Sequence, residues 1–293
     1  MDWLSVILIA GIILLYSLQT LFCTLYNHRY PGKAEWAAPA FCAMEGAFIT
    51  LITWALNGFR FQASPPTLLF GCLNALVLLG YNSSLMAAGK RGSYAFFNMS
   101  LLYGAILVPM AYSNLFLQEG TTPVQWVGVG LMLIAFLLMN WEGKTEKTAK
   151  KGFYLFCALL FLFNGLYSVF LKMQSVACEN ESAEMIMLTF GLMGLSALIQ
   201  LAVTQKGSIP RAFYQNKRSL PPLIACLLSA GLAVNGLVVV LPRVNSVVLY
   251  TVENGGVLLL SFLYAVTLFH EKPTLQKVAG VAIAVVSITL LSI

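Results

Sequence analysis

The sequence predicts an all-α integral membrane protein of ten transmembrane helices arranged as a 5+5 inverted repeat. Three observations predict it: a composition too apolar for a soluble domain, uninterrupted apolar runs long enough to cross a bilayer, and a second half that echoes the first. Of 293 residues, 59% are hydrophobic and only 10% are charged, whereas a soluble domain carries about 25% charged residues. The apolar runs continue for ~20 residues, the length an α-helix needs to cross ~30 Å of hydrocarbon. A β-barrel would alternate apolar and polar residues in ~10-residue segments. Backbone groups in lipid must pair within their own segment, which leaves helices.

The expected spans are 3–26, 36–57, 66–89, 93–116, 122–140, 152–174, 185–205, 219–242, 244–269 and 273–293. The first follows Asp2 with no Lys or Arg before it and is too long for a signal-peptide core, so it reads as a helix that stays. The second carries Glu45 at its middle, and the third carries Asn74, Tyr81 and Asn82. The third and fourth are joined by Lys90-Arg91-Gly92, and the fourth and fifth by Gln118-Glu119-Gly120. Links that short make neighbouring helices antiparallel and adjacent. Asn98 lies in the fourth span and Gly128 in the fifth. The sixth carries Asn164, Tyr167 and Ser168, and the acidic stretch Glu179-Asn180-Glu181-Ser182 leads into the seventh. Asn235 lies in the eighth, Tyr250, Glu253, Asn254, Gly255 and Gly256 in the ninth, and Gly280 and Ala284 in the tenth.

Charge gives the orientation. Of the 17 Lys and Arg, all but Arg60, Lys172 and Arg243 lie on the side of the loops that follow odd-numbered spans. The positive-inside rule places those loops in the cytoplasm and both termini outside, as expected for a multi-pass protein of the cell membrane. The net charge of +6 belongs to these loops, so no nucleic-acid partner is expected. Five of the six cysteines lie inside apolar runs and none forms C-x-x-C, so neither disulfides nor metal are indicated. The two histidines, His28 and His270, stand far apart near helix ends. No G-x-x-x-x-G-K-[ST] occurs, no catalytic constellation appears, and no cofactor is expected.

The repeat divides the chain into 1–145 and 146–293, five helices each. Leu117-Gln118-Glu119, then Gln125 and Gly128, correspond to Phe269-His270-Glu271, then Gln276 and Gly280. Glu119 and Glu271 are 152 residues apart, as are Gly128 and Gly280. Tyr16-Ser17 pairs with Tyr167-Ser168, Asn82 with Asn235, and Phe97 with Tyr250 within a residue or two of that spacing. Five helices per half invert the second half relative to the first, a transporter architecture.

On these residues the chain resembles the drug/metabolite transporter superfamily, specifically its ten-helix EamA-like members. Phe116 to Asn140 and Leu268 to Leu291 carry the likeness, and LFHEKPTLQKVAGVAIAVVSITLL looks like that family's terminal signature. The resemblance implies a 5+5 helical basket and secondary transport, without naming a substrate. Its members are usually drawn with both termini in the cytoplasm; the charges here place both outside.

A charge inside hydrocarbon costs several kcal/mol or more and marks a functional candidate. Glu45 and Glu253 are the mid-span charges. Each is desolvated, which suits a group that alternately carries a proton and faces a cation; a carboxyl satisfied by a neighbouring helix is the alternative. Tyr250, three residues before Glu253, shares its face and can add cation–π attraction. Gly255-Gly256 fits either a local helix break lining a cavity or close helix packing. Tyr16, Gln19, Tyr81, Asn82, Asn98, Asn164, Tyr167 and Asn235 either line the same cavity or hydrogen-bond between helices. Gly128, Gly280 and Ala284 offer small surfaces for pairing within one chain or with a second copy, so a monomer and a homodimer both fit.

The expectation is therefore a secondary transporter of a small cationic, zwitterionic or neutral solute, coupled to protons or to exchange. The alternative within transport is an exchanger of anionic or phosphorylated metabolites that uses Lys90-Arg91 and Arg243. A non-transporting membrane helper or receptor is the alternative of another class; an enzyme is not expected.

Overall fold

The computed structural model describes residues 3–29, 34–89, 91, 94–118, 120–140, 151–204, 219–268, 270 and 274–292. Among these residues the regular structure is helical, with no strand. The long helices are α1 (Trp3–Arg29), α2 (Ala34–Leu56), α3 (Pro65–Gly89), α4 (Tyr94–Tyr112), α5 (Pro123–Asn140), α6 (Phe153–Ala177), α7 (Ser182–Thr204), α8 (Leu220–Val240), α9 (Ser246–Thr267) and α10 (Leu275–Ser292). A π-helical turn over Ser113–Leu117 extends α4, and a 3₁₀ turn over Glu179–Glu181 precedes α7.

Local chemistry sets several of the starts. Pro65 and Pro123 open α3 and α5, and proline follows Leu220 in α8, where a missing N–H costs nothing. Asn245 caps α9, its side-chain oxygen accepting from the amides of Val247 at 2.9 Å and Val248 at 3.4 Å. Gln118 after the π-turn and His270 after α9 both take a left-handed backbone, with φ of 51° and 53°.

Among the described residues, eight helical segments are long and apolar enough to cross a membrane: Trp3–Cys23, Pro39–Leu56, Pro65–Leu85, Ser100–Leu117, Phe153–Ala177, Ser182–Val203, Leu220–Val240 and Ser246–Tyr264. Pro123–Met139 and Leu275–Leu291 are apolar but shorter. Their outward residues are large and apolar, among them Leu51, Leu76, Val127, Leu155, Leu198 and Val285, as a hydrocarbon solvent requires.

The chain forms two compact units. One comprises Val77–Lys172 and Arg243–Ile293, the other Asp2–Leu76 and Met173–Pro242. Each therefore takes helices from both sides of residue 145, so these units are a different division of the chain from the expected halves 1–145 and 146–293.

In the first unit, α5 lies against α10 along small residues. A Cβ on Gly128 would stand 2.9 Å from Leu291 Cγ and 3.3 Å from the Ser287 carbonyl oxygen; one on Gly280 would stand 2.5 Å from Met139 Cγ and 3.1 Å from the Ala135 carbonyl oxygen. Ala135 and Ala284 are fully buried, and Ser287 Oγ donates to the Gly128 carbonyl at 2.6 Å. Close backbone approach of this kind supplies the van der Waals contact that holds helices together in lipid, where apolar burial gives no driving force. In the second unit α2 meets α7 more closely still: a Cβ on Gly46 would stand 2.5 Å from Gly194 Cα.

Candidate functional site: a polar face on α6 and α9

Each unit gathers part of the expected polar set. In the first, α6 is the central element. Gly80 of α3 lies against the Phe163 ring, and Gly104 of α4 against the Phe161 backbone. Asn164 donates to the Leu101 carbonyl of α4 at 2.9 Å. One turn on, the Ser168 carbonyl accepts from the Tyr250 hydroxyl of α9 at 3.2 Å. Tyr250 is buried. This bond fixes which face of α9 looks toward α6, and Glu253 lies on that face one turn further along.

Glu253 is half-buried and makes no hydrogen bond or ion pair with a described residue. Its helix runs unbroken through Asn254, Gly255 and Gly256. Asn254 donates back to the Tyr250 carbonyl at 2.8 Å, a bond within the helix. A Cβ on Gly255 would collide with the Met132 methyl of α5, and Gly256 is buried. Of the two readings of this glycine pair, the packing one describes the structure at Gly255, and there is no break. Tyr81 packs against the cluster of Phe153, Cys157 and Leu160 where α3 meets the start of α6. Asn82 and Tyr167 are half-buried and engaged with neighbours. The Asn98 side chain lies outside the described residues.

The second unit holds Glu45, Asn235, Tyr16 and Gln19. Asn235 of α8 donates to Thr53 Oγ1 of α2 at 2.8 Å and to the Gly231 carbonyl of its own helix at 2.7 Å. The Ile12 side chain lies against Gly236, and the Gln19 carbonyl accepts from Cys226 Sγ at 3.4 Å. Tyr16 falls between these contacts on the same face of α1. Glu45 is half-buried, forms no hydrogen bond or ion pair with a described residue, and acts electrostatically on Cys42 and Cys226. Asn164 and Asn235 thus perform the interhelical bonding that was one of their two readings, and the two carboxylates do not.

Sequence reasoning missed two features. Lys172, counted there only as one of three basic residues on the non-cytoplasmic side, is only 4% exposed. Its helix, α6, runs to Ala177 instead of ending near residue 174. Glu181, just before α7, and Glu184, in its first turn, form a clasp. Glu184 Oε1 accepts from Asn57 Nδ2 at 2.8 Å and from the Gln62 amide at 3.4 Å. Glu181 Oε2 accepts from the Ser64 amide at 2.8 Å and the Ser64 hydroxyl at 2.6 Å. Hydrogen bonds from the Ser64 and Thr67 hydroxyls and the Ser64 amide hold the Glu181 carboxyl below its usual range. Of the basic residues at the end of α3, Arg91 stacks over the Phe156 ring at 4.6 Å and donates to the Ala87 carbonyl at 3.0 Å, as a helix-end anchor does. Lys90 lies outside the described residues, and Arg243 is exposed.

No protein-family model and no curated protein matches the sequence. The fold is similar to that of a solved protein crystal structure, with a TM-score of 0.75 and 15% sequence identity over 99% of this chain and 96% of that one.

Proposed function

We propose that the protein is a secondary active transporter of a small organic solute, with ten membrane-crossing helices in two inverted five-helix halves, as in the EamA-like drug/metabolite transporters it resembles. The substrate is cationic, zwitterionic or neutral, and transport is coupled to protons or to exchange. The observation that carries this reading is Glu253: a carboxyl at the middle of an apolar helix, unpartnered among the described residues, one turn from a tyrosine docked on α6. Structural carboxyls in a membrane are paired; an unpaired one is free to exchange a proton for a cation.

The repeat has independent support. Gln118 and His270, 152 residues apart, are two of the three non-glycine residues with positive φ among those described. The α5–α10 contacts are reciprocal under the same shift: Gly128 meets Ser287 and Leu291, and Gly280 meets Ala135 and Met139. A two-fold relation between equivalent helices makes its contacts in such reciprocal pairs.

In this reading the odd-numbered loops and the basic residues other than Arg60, Lys172 and Arg243 are cytoplasmic, both termini are outside, and the membrane is the cell membrane. The test is Glu253→Gln, which keeps shape and hydrogen bonding but removes the charge. Reconstituted in liposomes, the variant binds solute without pH dependence and loses coupled transport. In the wild type a proton and a cation compete for one carboxylate, so apparent affinity falls as pH drops. Transport by the variant at the normal rate and with the normal pH profile makes Glu253 structural. One observation favours a second reading, an anionic or phosphorylated substrate: the buried cation Lys172.

A further inference from the structure

Three of the six cysteines belong to one cluster in the second unit. Cys226 of α8 points its sulfur at the Gln19 carbonyl of α1, 3.4 Å away. In an α-helix the carbonyl of residue i meets the amide of residue i+4, so a group bonded to the Gln19 carbonyl arrives beside Cys23. The Cys23 thiol lies within reach of the Cys226 thiol, as the placement of Cys226 Sγ at the Gln19 carbonyl requires. Cys42 and Glu45 of α2 lie within electrostatic reach of this pair. All the cysteines are free thiols.

We propose that Cys23 and Cys226 form a vicinal dithiol site, bridging α1 and α8, for trivalent arsenicals. The geometry suits this chemistry because two facing thiols on neighbouring helices offer a trivalent thiophilic centre two ligands at once. The reaction is a condensation. With an aryl arsine oxide, the two S–H bonds and the As=O bond break, two As–S bonds form, and the protons leave with the oxygen as one water. Arsenic remains trivalent, so no oxidant or reductant takes part. The ligand is neutral and small enough to reach a site inside apolar helices, which a charged thiol reagent is not. The bridged product ties α1 to α8. The inference stands on the thiol geometry alone and is independent of what the protein transports.

The experiment uses the purified full-length protein in detergent, incubated with phenylarsine oxide and read by intact mass. The wild type gains a single arsenical adduct, resistant to 2-mercaptoethanol and removed by dithiothreitol, since only a dithiol competes with a two-point attachment. C23S and C226S fail to form it, whereas C42S and C72S form it normally. Peptide mapping of the wild-type adduct requires no variant to fold, and it places the arsenic between the segments containing Cys23 and Cys226. Absence of a dithiol-reversible adduct on the wild type overturns the proposal. So does an adduct that survives in both C23S and C226S, or one that maps to another pair.

Discussion

Replacing Gly280 tests the α5–α10 seam most directly. A Cβ there would stand 2.5 Å from Met139 Cγ, 3.1 Å from the Ala135 carbonyl oxygen and 3.3 Å from Leu138 Cβ. Ordinary carbon contacts lie near ~3.5–4.0 Å. Met139 must move by about 1 Å, and the carbonyl cannot move without bending α5. Overpacking costs about 1–3 kcal/mol, while exchanging glycine for alanine in a helix returns about 1 kcal/mol. Gly280→Ala is therefore destabilising by up to about 2 kcal/mol, and Gly280→Leu by about 3 kcal/mol or more. At Gly128 the nearest atoms belong to the branched end of Leu291, at 2.9 and 3.3 Å, beside the Ser287 carbonyl oxygen at 3.3 Å. The flexible side chain yields, so Gly128→Ala is nearly neutral. Gly130, also on α5, has nothing within 4 Å of its Cβ position and serves as the control. The assay is thermal stability in detergent, read by loss of the monodisperse gel-filtration peak. The expected order of melting is Gly130→Leu near wild type, then Gly280→Ala, then Gly280→Leu lowest. Should Gly280→Leu melt with Gly130→Leu, α5 and α10 do not approach as closely as these contacts require.

The remaining predictions concern charge and hydrogen bonding. A reporter fused after Ile293 works outside the cytoplasm and is silent inside it; a cytoplasmic signal reverses the proposed orientation while leaving the helices as they are. Because the Glu181 carboxyl is held below its usual 4.5 in the folded protein, the clasp contributes fully above that value and is lost as pH falls through the lowered one. The stability gap between wild type and Glu181→Ala should be constant from neutral pH down to about 5 and close at more acid pH; a gap that first opens below pH 4 contradicts the sign. Thr53→Val removes the acceptor of the Asn235 amide and lowers detergent stability by about 0.6–1.7 kcal/mol, with unchanged stability arguing against that bond. Lys172→Gln leaves binding of cationic and neutral solutes intact in thermal-shift screens; loss of an anion's protective shift in that variant transfers the case to the anionic reading.

Sequence alone made the helices legible, because a membrane removes most competing outcomes: only helices satisfy the backbone there, and an apolar run of sufficient length has one use. The expected segment 93–116 matches α4 with its π-turn to Leu117, and 122–140 matches α5. The glycines were legible as small surfaces, but their partners were not. Gly128 and Gly280 invited either an internal seam or a second copy, and only the fold shows Leu291 and Met139 opposite them. Polar residues were harder. Asn164 and Glu253 look alike in a hydropathy profile, as polar positions inside apolar helices. Asn164 finds a carbonyl on the next helix while Glu253 finds no described partner, and that depends on helix rotation, which sequence does not state. Lys172 was counted only as an orienting charge, and its burial depends on helix rotation in the same way. The clasp at Glu181 and Glu184 was invisible since its partners, Ser64 and Asn57, lie more than a hundred residues away.

The proposed repeat separates packing from chemistry. Residues that set helix spacing recur at the 152-residue shift: Gly128 with Gly280, and the contacts at Ala135 and Met139 with those at Ser287 and Leu291. The left-handed residues Gln118 and His270 recur with them. The mid-helix carboxylates do not. The position equivalent to Glu253 is Leu101, whose carbonyl accepts from Asn164, and the position equivalent to Glu45 is Ala197, a buried packing residue. A shift of one residue either way finds no acid at either place. A feature needed to build a duplicated fold should appear in both halves, since each half faces the same packing problem. Glu45 and Glu253 appear once each, where an unpaired carboxyl is costly and the other half does without it. The repeated packing therefore does not account for them, and this is why the proposed function assigns them to binding or coupling.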